Sequence, residues 1–487
     1  MLPSGWELVV GLEVHVELGT RTKMWCGCST DFGAEPNTSV CEVCTGQPGA
    51  LPVPNERAIH DATLLGLALN GGIAPRCWFH RKNYFYPDLP KNYQISQYDV
   101  PLVSEGFLEV DVELDGAIVT RRVGIERLHM EEDTGKSLHV GGSGRLHGAD
   151  RSLIDYNRAG IPLLEIVSHP DIRDPQTAQA YLRELQAIVQ ALGVSDARME
   201  EGSIRCDANV SVRRFGEQLG TRCEIKNLNS VRSLGRAIDY EAERQVAALE
   251  DGTSIVMETR HWDESRGVTE TLRRKESVTD YRYFPDPDLV TITRSEQQIE
   301  AIRTELPELP AQTRTRLGDS GIAAEQVATI VTGGYVALVD DAVAHGAAPA
   351  AAANWVTSDL VGLLAAADRS LTDSGVTGGH LAELLELIDD GTLSTKLAKQ
   401  VLALLVERGG ADGPAAIAEA EGLVQLSDRD ALTAIVDQVV ADNPDTVAAI
   451  RGGNAKAIGA LVGQVMKATG GQADPRATNE LLRQRIG

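Results

Sequence analysis

A chain of 487 residues, 43% hydrophobic and 24% charged, is too long for one core and has the composition of a globular protein of two to four domains. Its formal net charge of −24 argues against a general polyanion binder but leaves room for one local basic patch. The start, MLPSGWELVVGLEVHVEL, lacks a basic segment, apolar run and small-residue cleavage site, and no run of about 20 apolar residues occurs, so neither a signal peptide nor a membrane span is expected and the expected compartment is the cytoplasm.

The first element is GLEVHVEL. Leu12, Val14, Val16 and Leu18 alternate with Glu13, His15 and Glu17, the period of a strand with one apolar face. The other face carries carboxylate, imidazole, carboxylate. It reads either as a solvated strand face or as an array of metal ligands.

Next comes WCGCSTDFGAEPNTSVCEVCTG, which holds four of the seven cysteines. Cys26 with Cys28, and Cys41 with Cys44, form two tight pairs. In a reducing compartment such clustering favours metal over disulfide. Four thiolates close a tetrahedron around zinc and leave no position for substrate, so a structural Zn²⁺ site is expected. A redox role for Cys41 and Cys44 has little support, because no βαβ pattern surrounds them.

The segment WFHRKNYFYPDLPKNYQISQYD then gathers seven of the 21 aromatic residues, with Lys82 and Lys91 among them. It reads either as a plug in the core or as a pocket for a nucleotide or an RNA end, where rings stack on bases and lysine meets phosphate. RLHMEEDTGKS follows. Its Gly135-Lys136-Ser137 is not a phosphate-binding loop, because Met130 stands where that motif needs its first glycine. The glycine-rich HVGGSGRLHG is too loose for one and reads as an insertion.

SIRCDANVSVRR and TRCEIKN, joined by FGEQLG, read as a hairpin. Ile204, Cys206, Ala208, Val210 and Val212 make its apolar face, so Cys206 and Cys223 are expected as buried small hydrophobes. Arg205, Asp207, Asn209 and Ser211, with Arg222, Glu224 and Lys226, make its polar face. Acids that hold Mg²⁺ beside bases that hold phosphate oxygens suit a phosphate with a divalent cation.

Composition changes near residue 295, from alternating β-branched runs to Ala, Leu and Val at helical spacing. TGGHLAELLELIDDG carries Leu381, Leu384, Leu385 and Ile388 on one stripe and ends at Gly391. STKLAKQVLALLVERGG has Ser394 or Thr395 as N-cap and Gly409 as stop. A second boundary is expected near RGGADGP. Beyond it, residues 411–450 hold eight acids and one base, whereas residues 451–487 hold six bases and two acids. That basic tail, which includes Arg451, Lys456 and Lys467, reads either as a solvated helix face or as a phosphate-contacting surface. The expected fold class is therefore α+β: residues 1–295 an α+β domain built on an antiparallel sheet, 296–410 an all-α domain, and 411–487 a small all-α tail domain.

Taken together, VVGLEVHVEL, FHRKNYFYPDLPKNYQISQYD, RLHMEEDTGKS, DYNRAGIPLLEIVSHPDI, MEEGSIRCDANVSVR, EIKNLNSVRSLGRAIDYE, DYRYFPDPDL and NAKAIGALVGQVMKATGGQADP resemble the B subunit family of the glutamine-dependent aspartyl/glutamyl-tRNA amidotransferases. The resemblance runs from near Val9 to the C-terminus. It implies a cradle-shaped first domain that uses ATP and Mg²⁺ to phosphorylate the side-chain carboxylate of glutamate or aspartate mischarged on tRNA(Gln) or tRNA(Asn). Ammonia then displaces the phosphate. It comes through a channel from an amidase (glutaminase) partner, the A subunit, tied in by a small third protein, the C subunit. No amidase serine motif is found in this chain, which agrees with that division of labour.

The resemblance also implies residue roles. Glu13, His15, Glu132, Asp207 and Glu224 are the implied Mg²⁺ ligands. The alternation argument cannot choose between Glu131 and Glu132; the choice of Glu132 rests on the resemblance. Lys82 and Lys91 are implied to line the ammonia path where it meets the kinase pocket, with charge that also steadies the acyl phosphate. The four cysteines match a zinc-binding subset of the family. The tail, with Arg451, Lys456 and Lys467, is implied to touch the tRNA. Two other readings use the same residues: a metal-dependent phosphohydrolase in which the acids activate water, and a non-catalytic tRNA-binding scaffold.

Overall fold

The computed structural model describes residues 2–114, 116–141, 149–274, 281–424, 429–452, 454–470, 472–473 and 475–486. Most of HVGGSGRLHG lies outside them. The chain separates into two units, Met1–Pro310 and Ala311–Gly487.

The first unit is built on a nine-stranded sheet. Its strands in chain order are β1 (Trp6–Glu17), β2 (Gly72–Ile73), β3 (Val103–Leu114), β4 (Ala117–Glu132), β5 (Pro162–Ser168), β6 (Ile204–Arg214), β7 (Cys223–Leu228), β8 (Glu258–Asp263) and β9 (Val268–Arg274). They lie in the order β9-β8-β7-β6-β1-β5-β4-β3-β2. The expected hairpin is β6–β7, with Asn209 opposite Glu224 and Val210 opposite Cys223. The sheet is not wholly antiparallel, because β7 and β8 run parallel. A parallel pair needs a long crossover, and the helix Val231–Glu250 provides it.

Each alternating strand places its apolar set on one face. Leu12, Val14 and Val16 of β1 and Cys206, Ala208 and Val210 of β6 are each at most 2% exposed. Cys206 and Cys223 are buried free thiols, as the alternation predicts. The core that contains this face also contains buried residues of three helices, Glu56–Ala68, Pro175–Ala191 and Val231–Glu250. Each begins on a polar N-cap, respectively Asn55, Asp174 and Ser230, whose side chain accepts from the backbone N–H groups of the first turn. The short helix Glu296–Arg303 belongs to the same unit and buries Ile302 in this core.

At residues 241–271 a buried ionic network braces the crossover. Glu241, 0% exposed, accepts from the Arg244 guanidinium, Gln245 and Thr269, and its carboxylate lies 3.2 Å from Arg260 Nε. Burial works to raise the Glu241 pKa, but these donors outweigh it and the carboxyl ends below the usual glutamate range.

A small three-stranded ribbon, formed by Phe284–Pro285, His80–Asn83 and Tyr93–Ser96, carries the aromatic segment. That segment divides between the two readings. Phe79 is buried edge-on against Trp25, whereas Phe85, Tyr86 and Tyr98 are exposed.

The second unit is helical throughout its described residues. The helix Gly378–Asp389 is capped by Thr377, and Leu381, Leu384 and Leu385 are buried. Thr395–Glu407 is capped by Ser394, whose hydroxyl accepts from Leu397 N. Gly391 and Gly409, at φ +81° and +70°, follow these helices in the left-handed conformation that glycine adopts without strain. The unit holds two hydrophobic clusters, one of residues from Leu317 to Ala418 and one from Leu432 to Ile486. Among the described residues no single helix is long and apolar enough to cross a membrane.

Candidate active site on the polar sheet face

The face of the sheet opposite the helices is where β1, β5, β4, β6 and β7 bring their polar residues together. Register decides which of them meet. His15 lies opposite Glu165 of β5 and Arg205 of β6, and Glu165 lies opposite His129 of β4. Side chains alternate along a strand, so His129, Glu131 and Asp133 share this face while Met130 and Glu132 point to the other.

Two ligand clusters result. In the first, one donor atom each of His15, Glu131 and Glu165 lies within 4.8 Å of the others. His15 Nε2 is 3.5 Å from Glu165 and 3.7 Å from Glu131. In the second, Glu13, Asp207 and Glu224 meet the same condition. Asn209 donates to Glu13 at 2.8 Å, and Thr259 donates to Glu224 at 2.8 Å. Lys226 Nζ bridges Asp207 at 2.5 Å and Glu224 at 3.1 Å.

The Mg²⁺ ligands implied by the resemblance fall into two clusters, and Glu132 belongs to neither. Glu132 is 2% exposed, ion-paired to Lys91 and hydrogen-bonded by Ile95 N at 2.9 Å. Glu131 takes the place beside His15. The physical reason is the period of two: adjacent residues on a strand cannot both face the same ligand. Glu165 and His129 went unrecognised in the sequence. Glu165 sits inside the apolar run PLLEIVS, so β5 reads as a buried strand without alternation; a lone acid in such a run is the signal that would have found it.

The electrostatics follow from this crowding of acids. Burial and the charge of Glu165 push the Glu13 carboxyl up. Burial opposes the charged form of His129, but Glu165 and Glu131 outweigh it and carry the imidazole to about 9. Burial likewise opposes the Lys82 ammonium, yet Glu131 and its neighbours hold it above the ordinary lysine range. Lys82 is thus a fixed cation. With His15, Glu131, Asp207 and Lys226 it lines a cavity of about 450 Å³. Lys91 is not among the residues that line it.

The four cysteines also converge, with one sulfur each within 4.8 Å of the others. Cys44 accepts from Cys41 N, and Lys23, 1% exposed, places Nζ 3.7 Å from its sulfur. The hydrogen bond from Cys26, with help from Lys23, brings the Cys44 thiol down to about 4, while Cys26 moves up as its partner. Four converging sulfur donors fit zinc, and the two carboxylate clusters, one of them with an imidazole, fit a hard divalent cation. The thiol loop is tied to the segment before β5: Asp155 accepts from Asn37 N at 3.0 Å and Asn157 from Ser39 N at 2.8 Å. It also packs on the Lys91–Glu132 pair. Gly46 has φ +69°, and a Cβ there would fall 2.6 Å from Lys91 Cγ.

Residues 8–300 match the model of the GatB/GatE catalytic domain, and residues 337–486 match that of the GatB domain. The chain belongs to the GatB family. It is 51% identical to a relative from Frankia casuarinae over 99% of this chain and 96% of the relative. It is 52% identical to one from Salinispora arenicola, over 99% and 97%, and 50% identical to one from Synechocystis sp., over 98% and 97%. All three are named as the B subunit of aspartyl/glutamyl-tRNA(Asn/Gln) amidotransferase. The resemblance read from the sequence motifs is thereby borne out.

In the second unit, Arg451 donates through Nε to Ile486 O at 3.0 Å, which holds the ends of the tail together. Lys456 and Lys467 are exposed.

Proposed function

We propose that this GatB-family chain acts as the B subunit of a cytoplasmic tRNA-dependent amidotransferase, converting Glu-tRNA(Gln), Asp-tRNA(Asn) or both to the amides. The observation that carries this is the polar sheet face, where two ligand clusters form and His15, Glu131 and Asp207 from them border one cavity with Lys82 and Lys226. Oxide is a poor leaving group, so a carboxylate resists attack by ammonia. The side-chain carboxylate oxygen attacks the γ-phosphorus of ATP and ADP departs. Ammonia then attacks the acyl carbon and expels phosphate.

His15, Glu131 and Glu165 would hold one Mg²⁺, and Glu13, Asp207 and Glu224 another. Bound there, magnesium supplies charge neutralisation for phosphate oxygens. Lys82, a fixed cation in the cavity wall, stabilises charge that develops on the transferring phosphoryl group and the acyl phosphate. Lys91 and Glu132, paired on the other side of β4, are the candidates for the wall of the ammonia path from the amidase partner, with the small C subunit completing the assembly. Cys26, Cys28, Cys41 and Cys44 would hold a structural zinc. Lys456 and Lys467, with the likewise exposed Arg451, are the candidates for contact with the tRNA.

The test is to purify the chain with its amidase and small partners and assay both mischarged tRNAs. We expect Mg²⁺-dependent ATP cleavage stimulated by mischarged tRNA, together with amide formation. Equal cleavage on uncharged tRNA would favour a phosphohydrolase. Unchanged cleavage in a folded Glu13→Gln, His15→Ala double variant would favour a scaffold.

A further inference from the structure

A second cavity, of about 230 Å³, adjoins the carboxylate cavity and shares Lys82 with it as a common wall. Its other walls include Tyr98, Tyr281, Tyr283, Arg127 and Glu165. Tyr98 and Tyr283 are stacked, with ring centroids 4.5 Å apart and planes 15° from parallel, and Tyr281 stands edge-on to Tyr283 at 6.1 Å. Tyr98 is 61% exposed although it sits at a cavity wall, and Phe85 and Tyr86, next to Tyr84, are also exposed. Tyr84 in turn meets Tyr281 edge-on. Solvent-facing rings grouped around a polar cavity are costly unless something covers them. The His129 ring, also in the wall, has a buried Nδ1 without a partner among the described residues.

We infer that this tyrosine-walled cavity receives the 3′-terminal adenosine of the charged tRNA. Its base would lie on the Tyr98–Tyr283 stack, and its esterified amino acid would point past Lys82 toward His15 and Glu131. The inference rests on the proposed function and deepens it.

Stacking on aromatic faces is how proteins hold unpaired nucleotides. The rings would stack the base of either ligand, and two observations favour the tRNA over ATP. The linkage to the next nucleotide brings one phosphodiester charge, for which Arg127, paired in this structure with the exposed Glu126, stands in the wall. A triphosphate bound through Mg²⁺, by contrast, would suit the neighbourhood of Glu13, Asp207 and Glu224. A different cavity, of about 300 Å³, opens beside Glu13 and Asn209, with Arg222 in its lining. Glu165 supports the assignment from the other direction. It lies in the wall of the tyrosine cavity and 3.5 Å from His15, so an amino acid attached to a nucleoside there has a direct route to the ligand cluster.

The experiment uses the assembled complex carrying Tyr98→Ala, Tyr283→Ala or Tyr98→Phe. Two things are measured: steady-state amidation with Glu-tRNA(Gln) and ATP varied separately, and fluorescence of tRNA bearing 2-aminopurine as its terminal base. We expect both alanine variants to raise KM for the tRNA roughly tenfold or more, a typical loss for one stacked base. KM for ATP should stay within about twofold, and the phenylalanine variant should restore the tRNA KM because it keeps the ring face. The terminal base should be quenched on binding to the parent complex and not to the alanine variants. A rise in KM for ATP instead would assign the cavity to the nucleotide and overturn the inference, as would alanine variants with an unchanged tRNA KM. Failure of the unsubstituted complex to amidate would count against the proposed function itself, so the two failures are distinguishable.

Discussion

The thiol loop and the carboxylate face both gather metal-ligating side chains in the same unit, yet they are built in opposite ways. The cysteines lie on an irregular loop and form a closed, all-sulfur set fastened by Lys23, Asp155 and Asn157. The carboxylates and His15 lie on neighbouring strands, three donors to a cluster, with His15, Glu131 and Asp207 in the wall of one cavity. A closed set spends its donors on the metal and stiffens the chain; an incomplete set on a rigid sheet leaves coordination positions for a substrate. On the proposed function, only the second is arranged for chemistry.

The largest effect should come from the open set. Glu131→Gln should lower kcat for amide formation by roughly 10³-fold, the scale for removing one preorganised charge contact at a reacting phosphoryl group. It should also lower ATP cleavage in the assembled complex. Glu132→Gln should reduce amide formation while ATP cleavage persists; equal loss of cleavage in the two variants would erase the distinction between the faces of β4.

Next comes the frame behind the open set. Glu241→Ala removes the ion-pair partner of Arg244 and leaves Arg260 with Glu258 alone, and should cost about 3 kcal/mol in denaturant unfolding. Glu241 is held below the ordinary glutamate range, so its stabilisation is fully present above the unfolded pKa. It is lost as pH falls through the lower folded pKa.

The closed set should behave differently. A Cys41→Ser, Cys44→Ser double variant should lose its cysteine-bound zinc by elemental analysis and unfold at a lower temperature. A loss of about 2 kcal/mol lowers the midpoint by a few degrees. Its kcat at low temperature should remain close to that of the parent. Collapse of kcat without loss of fold would place the thiol loop in the chemistry.

The smallest effect should come from the tail. Lys456→Ala or Lys467→Ala should raise KM for tRNA by only a few-fold and shallow its salt dependence by about one charge. The glutaminase activity of the complex should stay unchanged.

The sequence by itself determined the elements whose signal is local. Period-two alternation assigned the two faces of β1 and of the β6–β7 hairpin, because one face of a sheet must be dry and the other need not be. Capping residues and glycines set the ends of Thr395–Glu407 and Gly378–Asp389, because helix ends must satisfy their free backbone groups with nearby atoms. The cysteine spacing marked a loop on which four sulfurs converge, for a similar reason.

Tertiary structure decided which polar residues meet. His15 finds Glu165 and Glu131 only through pairing between strands about 115 to 150 residues apart in sequence, a register no local pattern encodes. The same pairing turns Glu132 away toward Lys91, a residue 41 positions earlier. The parallel β7–β8 pair depends on a helix long enough to carry the chain back across the sheet. Local chemistry specifies each strand face, whereas which residues join the candidate cluster is a property of strand order.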